Sequence, residues 1–154
     1  MKTLVVFYSR IGNTRKVAEE LEKVLECDIE EIIDTKNRSG SLGYMRSGRD
    51  AMTQKLTVLQ DITNDPSTYD LIVIGTPLWA GHVSTPVRTY MHQQENFNNV
   101  AFFCTAGGVG FEGTFKDMEE LSGKSPLATL GVRAKEIKDG SYKSKVAEFV
   151  KKIQ

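Results

Sequence analysis

The sequence predicts a three-layer α/β sandwich: a five-stranded parallel sheet in the order 2-1-3-4-5 with helices on both faces. Three observations carry this. First, Leu4–Tyr8, Asp70–Gly75 and Val100–Thr105 contain near-continuous aliphatic or aromatic runs, the pattern of strands buried on both faces of a parallel sheet. Second, apolar residues at helical spacing follow each strand, so strands and helices alternate along the chain. Third, each run ends in a loop of small residues: Ser9–Thr14, Thr76–Val83 and Thr105–Gly110. Right-handed crossovers leave few topologies for such a chain. In the 2-1-3-4-5 order these loops meet beyond the strand ends, where the order reverses between strands one and three.

The chain of 154 residues fits one domain, 1–154, with enough length for a real core. Twenty Lys and Arg balance twenty Asp and Glu, so no global field points to nucleic acid. No run of about 18 apolar residues exists to span a membrane. Met1 leads straight into a strand without a secretory pattern. Cys27 and Cys104 form no CxxC and sit beside apolar strand residues, which reads as packing in a reducing, cytoplasmic setting. No His/Cys/carboxylate cluster has metal-ligand spacing, and spacing alone assigns no catalytic residue.

The elements follow in order. Leu4–Tyr8 is strand one. Val17, Ala18, Leu21, Val24 and Leu25 give a helix from Asn13 to about Glu26. Cys27–Asp34 alternates and reads as an edge strand with one wetter side. Thr35–Lys55 is locally basic, with Lys36, Arg38, Arg46, Arg49 and Lys55 against Asp50. Within it, Ser41–Thr53 reads as a short helix with Tyr44, Met45, Ala51 and Met52 on one face. The segment is either a solvated crossover or a basic docking surface for an acidic electron partner or an anionic substrate. Leu56–Tyr69 is irregular, with turn chemistry at Asn64–Ser67.

Asp70–Gly75 is strand three, and the loop from Thr76 leads to a helix over Thr85–Gln94, with Pro86 tolerated in its first turn. Val100–Thr105 is strand four, followed by a helix from about Glu112 to Leu121. The last strand is expected within Pro126–Ala134 and to finish near Ile137. Ser141 then caps a helix with a stripe of Val146, Phe149, Val150 and Ile153. His82 reads as an exposed loop residue, and His92 as solvated.

Each loop suits part of a phosphorylated planar ligand. Ser9-Arg10-Ile11-Gly12-Asn13-Thr14 offers hydroxyls, a cation and the unpaired N–H groups of a helix N-terminus, which suit a phosphate. It lacks the Gly-Lys-Ser/Thr of a Walker A loop and the three glycines of the dinucleotide fingerprint. Trp79, the one Trp, follows a strand end where burial in the main core is awkward, which favours stacking on a planar ligand. The bare backbone of Gly107, Gly108 and Gly110 admits close approach to a ligand edge.

The first loop resembles the flavodoxin phosphate loop, Thr/Ser-x-Thr-Gly-x-Thr, with Ile11 where the family carries a hydroxyl and Arg10 able to supply charge instead. The resemblance extends over nearly the whole chain. It implies a flavodoxin-like fold of the short-chain type and a bound flavin mononucleotide, FMN. It implies that Ser9, Arg10, Ile11, Gly12, Asn13 and Thr14 hold the phosphate. Trp79 then packs on the flavin ring, flanked by Pro77 and Leu78, with Ala80 and Gly81 next to flavin N5. Thr105, Ala106, Gly107 and Gly108 close the ring edge. The family's second aromatic, often Tyr, is missing from the third loop, and Phe111 is its nearest candidate. The family's backbone flip occurs next to a Gly, and positive φ at Ala80 costs about 1 kcal/mol.

The function expected is electron transfer through the bound flavin, to redox partner proteins or a small-molecule acceptor, by a monomer or weak homodimer. A small FMN-dependent NAD(P)H or quinone-type oxidoreductase is the alternative, and an FMN-free binding module a third.

Overall fold

Five parallel strands form the sheet in the order β2-β1-β3-β5-β6, and a two-residue strand, β4, pairs antiparallel with the end of β3. The computed structural model describes all residues from Met1 to Gln154. In chain order the elements are β1 Thr3–Phe7, α1 Asn13–Leu25, β2 Asp28–Glu31, α2 Gly40–Met52, β3 Leu71–Trp79, β4 His82–Val83, α3 Thr85–Gln93, β5 Asn99–Ala106, α4 Phe111–Ser122, β6 Thr129–Arg133, α5 Ala134–Asp139 and α6 Tyr142–Ile153. Leaving β4 aside, the parallel order is the expected 2-1-3-4-5. No helix is long and apolar enough to cross a membrane.

Two-residue alternation along the strands divides the core into two layers. Leu4, Val6, Ile72, Ile74 and Phe102 face one side, packed with Tyr90 and Met91 of α3 and Met118 of α4. Val5, Phe7, Val73 and Phe103 face the other, packed with Val17 and Leu21 of α1 and with Val146 and Phe149 of α6. Cys104 is fully buried in β5 and Cys27 partly buried, and burial pushes their thiols up to about 12 and about 11. Both therefore stay protonated and inert at neutral pH.

Several boundaries differ from the sequence reading. β2 is shorter than Cys27–Asp34, because the chain turns away after Ile32 and carries Asp34 to an antiparallel bridge with Leu59. β3 is longer: Thr76 and Pro77 pair with Cys104 and Thr105 of β5, so the strand continues to Trp79. What reads as a loop from Thr76 is instead a tight hairpin, with only Ala80 and Gly81 between β3 and β4. Their φ values, 51° and 79°, are both left-handed, the backbone that a two-residue hairpin requires.

β6 stops at Arg133, short of Ile137. Glu136 Oε1 accepts the Arg133 N–H at 2.9 Å, and this cap starts α5. Ser141 precedes α6, but its hydroxyl makes no capping bond; its carbonyl accepts from the Ser144 hydroxyl at 2.9 Å.

The α2 face also differs. Of the expected apolar face only Ala51 is buried, while Tyr44, Met45 and Met52 are exposed. The inward face is Gly43, Ser47, Asp50 and Ala51. Small and polar residues occupy it because it packs on Arg38, a buried cation. Arg38 Nη1 donates to Asp50 Oδ2 at 3.0 Å and to Ser47 Oγ at 3.3 Å, and Nε donates to Asp34 Oδ2 at 2.6 Å. Gly43 lies directly on the Arg38 backbone, leaving no room for a Cβ.

Candidate functional site

The three small-residue loops meet at the C-terminal ends of β1, β3 and β5 around a crevice of about 470 Å³. That volume lies within the range of small-molecule and cofactor pockets. Ser9, Arg10, Ile11, Asn13 and Thr14 line it from the first loop, Pro77, Leu78, Trp79 and Ala80 from the second, and Thr105, Ala106, Gly107 and Gly108 from the third. Tyr44 of α2 and Val109 complete the wall.

The first loop presents a set of unpaired backbone donors that suits an anion. Ser9 Oγ accepts the Gly12 N–H at 3.0 Å and curls the loop, and Gly12 takes φ 105° as α1 begins. The first intrahelical bond runs from Lys16 N to Gly12 O, at 3.1 Å. The N–H groups of Asn13, Thr14 and Arg15 donate to nothing in the chain. Three free donors at the positive end of a helix dipole form a site for an anion. Arg10 is turned sideways: Nη1 donates to the Arg38 carbonyl at 3.2 Å, and its guanidinium lies 5.5 Å from the Tyr44 ring centroid. Thr14 is buried, and its hydroxyl lies 2.7 Å from that of Thr105, tying the first loop to the third.

The second loop is the β3–β4 hairpin. Trp79 is only 7 % exposed and belongs to the core, contrary to the expectation that burial there is awkward. The reason is the extra length of β3, which carries the ring under α2. Tyr8 meets it edge-on at 5.5 Å between centroids, and the Arg38 guanidinium carbon lies 5.1 Å from its centroid. Trp79 is thus a packed wall of the crevice rather than a free platform. Burial, reinforced by the Asp34 charge, pushes the Tyr8 phenol up to about 12 although Arg38 and Arg10 oppose the shift, so it stays neutral behind Trp79.

His82 is not a free loop residue. Its Nδ1 lies 3.0 Å from Asp117 Oδ2, which also accepts the Val83 N–H at 3.1 Å and lies 3.5 Å from Arg88 Nη2. Asp117 thereby pins the hairpin to α4.

In the third loop the N–H groups of Gly107, Gly108 and Val109 donate to nothing in the chain, and open space surrounds both glycines. Phe111 does not face the crevice. It stacks with Phe115 at 6.4 Å and covers Gly131 of β6, where an added Cβ would come within 2.6 Å of the ring. Gly12 and Gly81 shape their turns without lining the cavity.

Sequence reasoning missed Tyr44, which brings an aromatic ring to the crevice wall from a different element; its place in the basic segment was the one signal. It also missed the Arg38–Asp34–Asp50 cluster behind Trp79, for which the four-residue spacing of Asp34 and Arg38 was the available clue.

A family model described as Flavodoxin matches residues 2–153. A flavoprotein from Lactobacillus acidophilus NCFM, solved in complex with FMN, is 27% identical; the match covers 91% of this chain and 98% of that one, with a TM-score of 0.70. A flavoprotein structure from Bacteroides uniformis ATCC 8492 matches at 21% identity over 86% of this chain and 88% of its own, with a TM-score of 0.73. A flavodoxin from Pseudomonas aeruginosa, solved as a cysteine-to-serine mutant, matches at 15% identity over 99% and 98%, with a TM-score of 0.59. These last two speak to the fold alone. No curated protein matches the chain.

Proposed function

The chain belongs to the flavodoxin family, and from that premise we propose that it is an electron-transfer protein working through FMN bound in the crevice. The observation that carries the reading is the donor set: three unpaired N–H groups at the start of α1, an apolar wall, and three more unpaired N–H groups in the third loop. A phosphate monoester, a fused aromatic ring and a carbonyl-bearing ring edge match these in turn.

In this reading the N–H groups of Asn13, Thr14 and Arg15 bind the phosphate, and the Thr14 and Thr105 hydroxyls hold the loop geometry around it. Pro77, Leu78 and Trp79 exclude water from one face of the ring. Tyr44 covers part of the mouth. The N–H groups of Gly107 and Gly108 orient the ring edge, while Ala80 presents its backbone beside it. When bound, FMN supplies the electron chemistry; the protein tunes its potential. A low-dielectric wall disfavours an anionic ring, and Arg38 behind Trp79 does not offset this, because Asp34 and Asp50 already match its charge.

One feature of the crevice favours the two-electron alternative, a small oxidoreductase acting on a nicotinamide or quinone. Phe111 is turned away and Val109 is 77 % exposed, so the third-loop side is open to a second planar molecule.

Stepwise anaerobic reduction of the FMN-saturated protein, followed by absorbance, tests the assignment. A long-wavelength band that grows to half-reduction and then vanishes supports one-electron carriage. Direct bleaching without it overturns one-electron carriage in favour of the alternative. Absence of any flavin spectrum after incubation with FMN overturns both.

A further inference from the structure

The outer face of α2 is an unpartnered surface of unusual composition. Leu42, Met45, Arg46, Arg49 and Met52 recur at i, i+3, i+4, i+7 and i+10, so they form one stripe, opposite the buried Gly43, Ser47, Asp50 and Ala51. Leu42, Met45 and Met52 are each about two-thirds or more exposed, at 71%, 70% and 66%. Leu42, Met45, Arg46 and Arg49 surround a shallow groove of about 310 Å³. Arg46 and Arg49 have no acidic partner. The one carboxylate on α2, Asp50, faces inward and is committed to Arg38 and Lys36.

This stripe is continuous with the crevice. Tyr44, on the flank of α2, is part of the crevice wall, and a Cβ added at Gly48 would lie 3.9 Å from the Ala80 methyl group. Anything seated on α2 therefore reaches the crevice mouth. The composition is that of a protein interface, which favours Met, Arg and aromatic residues around a desolvated centre. It is not that of a membrane-lying helix, whose charges flank the apolar stripe. Here Arg49 lies within the stripe, between Met45 and Leu42, so a lipid surface could not take up Leu42, Met45 and Met52 without also drawing in that guanidinium group. A protein surface with carboxylates among apolar side chains meets both needs.

We propose that the outer face of α2 docks a redox partner protein through an acidic patch with an apolar centre on that partner. The inference rests on the electron-carrier reading of the crevice. Steering by Arg46 and Arg49 raises the encounter rate and is screened by salt, while Leu42, Met45 and Met52 hold the complex.

The test uses the FMN-loaded protein, reduced with dithionite and freed of excess reductant. It is mixed with the ferric form of an acidic haem protein, cytochrome b5, or of a basic one, cytochrome c. One electron passes from the flavin to each haem iron, giving the ferrous form. At low ionic strength the expected result is faster transfer to cytochrome b5, falling at least tenfold as salt is raised. The double variant Arg46→Glu/Arg49→Glu is expected to lose at least tenfold in that rate, with FMN affinity unchanged. Met45→Ser/Met52→Ser is expected to weaken the complex with less effect on the salt dependence. A cytochrome b5 rate that neither charge reversal nor salt alters overturns the proposal. So does salt-sensitive binding to phosphatidylglycerol vesicles that the charge reversal abolishes, which would make α2 a membrane contact. If the FMN-loaded protein reduces neither cytochrome, the electron-carrier reading itself fails. If it reduces both equally in wild type and variants, only the docking face fails.

Discussion

The guanidinium of Arg38 lies against the Trp79 ring, 5.1 Å from centroid to carbon, while its other edge is held by Asp34 and Asp50. The crevice wall is therefore backed by a buried ionic cluster as well as by the hydrophobic core. Removing the cation leaves Asp34 without a charged partner and Asp50 with Lys36 alone, 3.7 Å away, which costs about 3–5 kcal/mol. Arg38→Ala is expected to lose that much in urea denaturation and to bind FMN more weakly as Trp79 loses its support. A loss below about 1 kcal/mol would show that water replaces the guanidinium.

The same cluster sets an acid limit. Burial works against the Asp50 charge, but the Arg38 hydrogen bond and the charges of Lys36, Arg38 and Lys55 outweigh it, so its carboxyl is held below the usual range. A depressed folded-state value gives stability that is present above the unfolded pKa, about 3.9, and lost as pH falls through the lower folded value. Thermal midpoints are expected to drop below about pH 4. Asp50→Asn, less stable at neutral pH, should show a shallower drop, and parallel curves for the two proteins would remove Asp50 from this role.

The β3–β4 hairpin is strained at one residue. Ala80 adopts φ 51°, a conformation that glycine takes without the Cβ penalty. Ala80→Gly is expected to stabilise the protein by about 0.5–1 kcal/mol, and Gly81→Ala, at φ 79°, to destabilise it by about 1 kcal/mol. Denaturation midpoints that move the other way would show that the turn rearranges.

Asp117 holds that hairpin from α4. Asp117→Ala deprives His82, the Val83 N–H and the largely buried Arg88 of their shared acceptor. We expect a stability loss of about 2–4 kcal/mol. FMN affinity should fall as well, read by fluorescence titration. Retained affinity with reduced stability would show that the hairpin keeps its shape without the anchor.

In the proposed reading, the unpaired N–H groups at the start of α1 make the phosphate the main handle on FMN. Each charge-assisted bond contributes about 1.5–3 kcal/mol. Titration is therefore expected to give FMN at least about a hundredfold tighter than riboflavin. Equal affinities would place the phosphate away from these donors.

Much of the sheet was legible because β1, β3 and β5 are buried on both faces and spell this out in unbroken apolar runs. The α2 face was not, because Arg38, from outside the helix, fills the space an apolar stripe would occupy, and apolar periodicity cannot report a buried cation. The β6–α5 boundary was hidden because no Gly or Pro separates them; the signal was Glu136, three residues after Arg133. At the site, the loops themselves could be read from strand-end chemistry. Orientation could not: Phe111 is drawn to the bare backbone of Gly131, and Tyr44 enters from an element distant in sequence.

The hydroxyl contact of Thr14 and Thr105 joins positions 91 residues apart, and the walls it joins stand on strands that pair only through β3. A nascent chain emerging from the ribosome carries the first loop early. It has no enclosed crevice until Asn99–Ala106 has emerged and added itself to the sheet. If FMN binds as proposed, cofactor capture is thus a late event in biogenesis, and a stalled or truncated chain offers the N–H groups of α1 without the cleft around them.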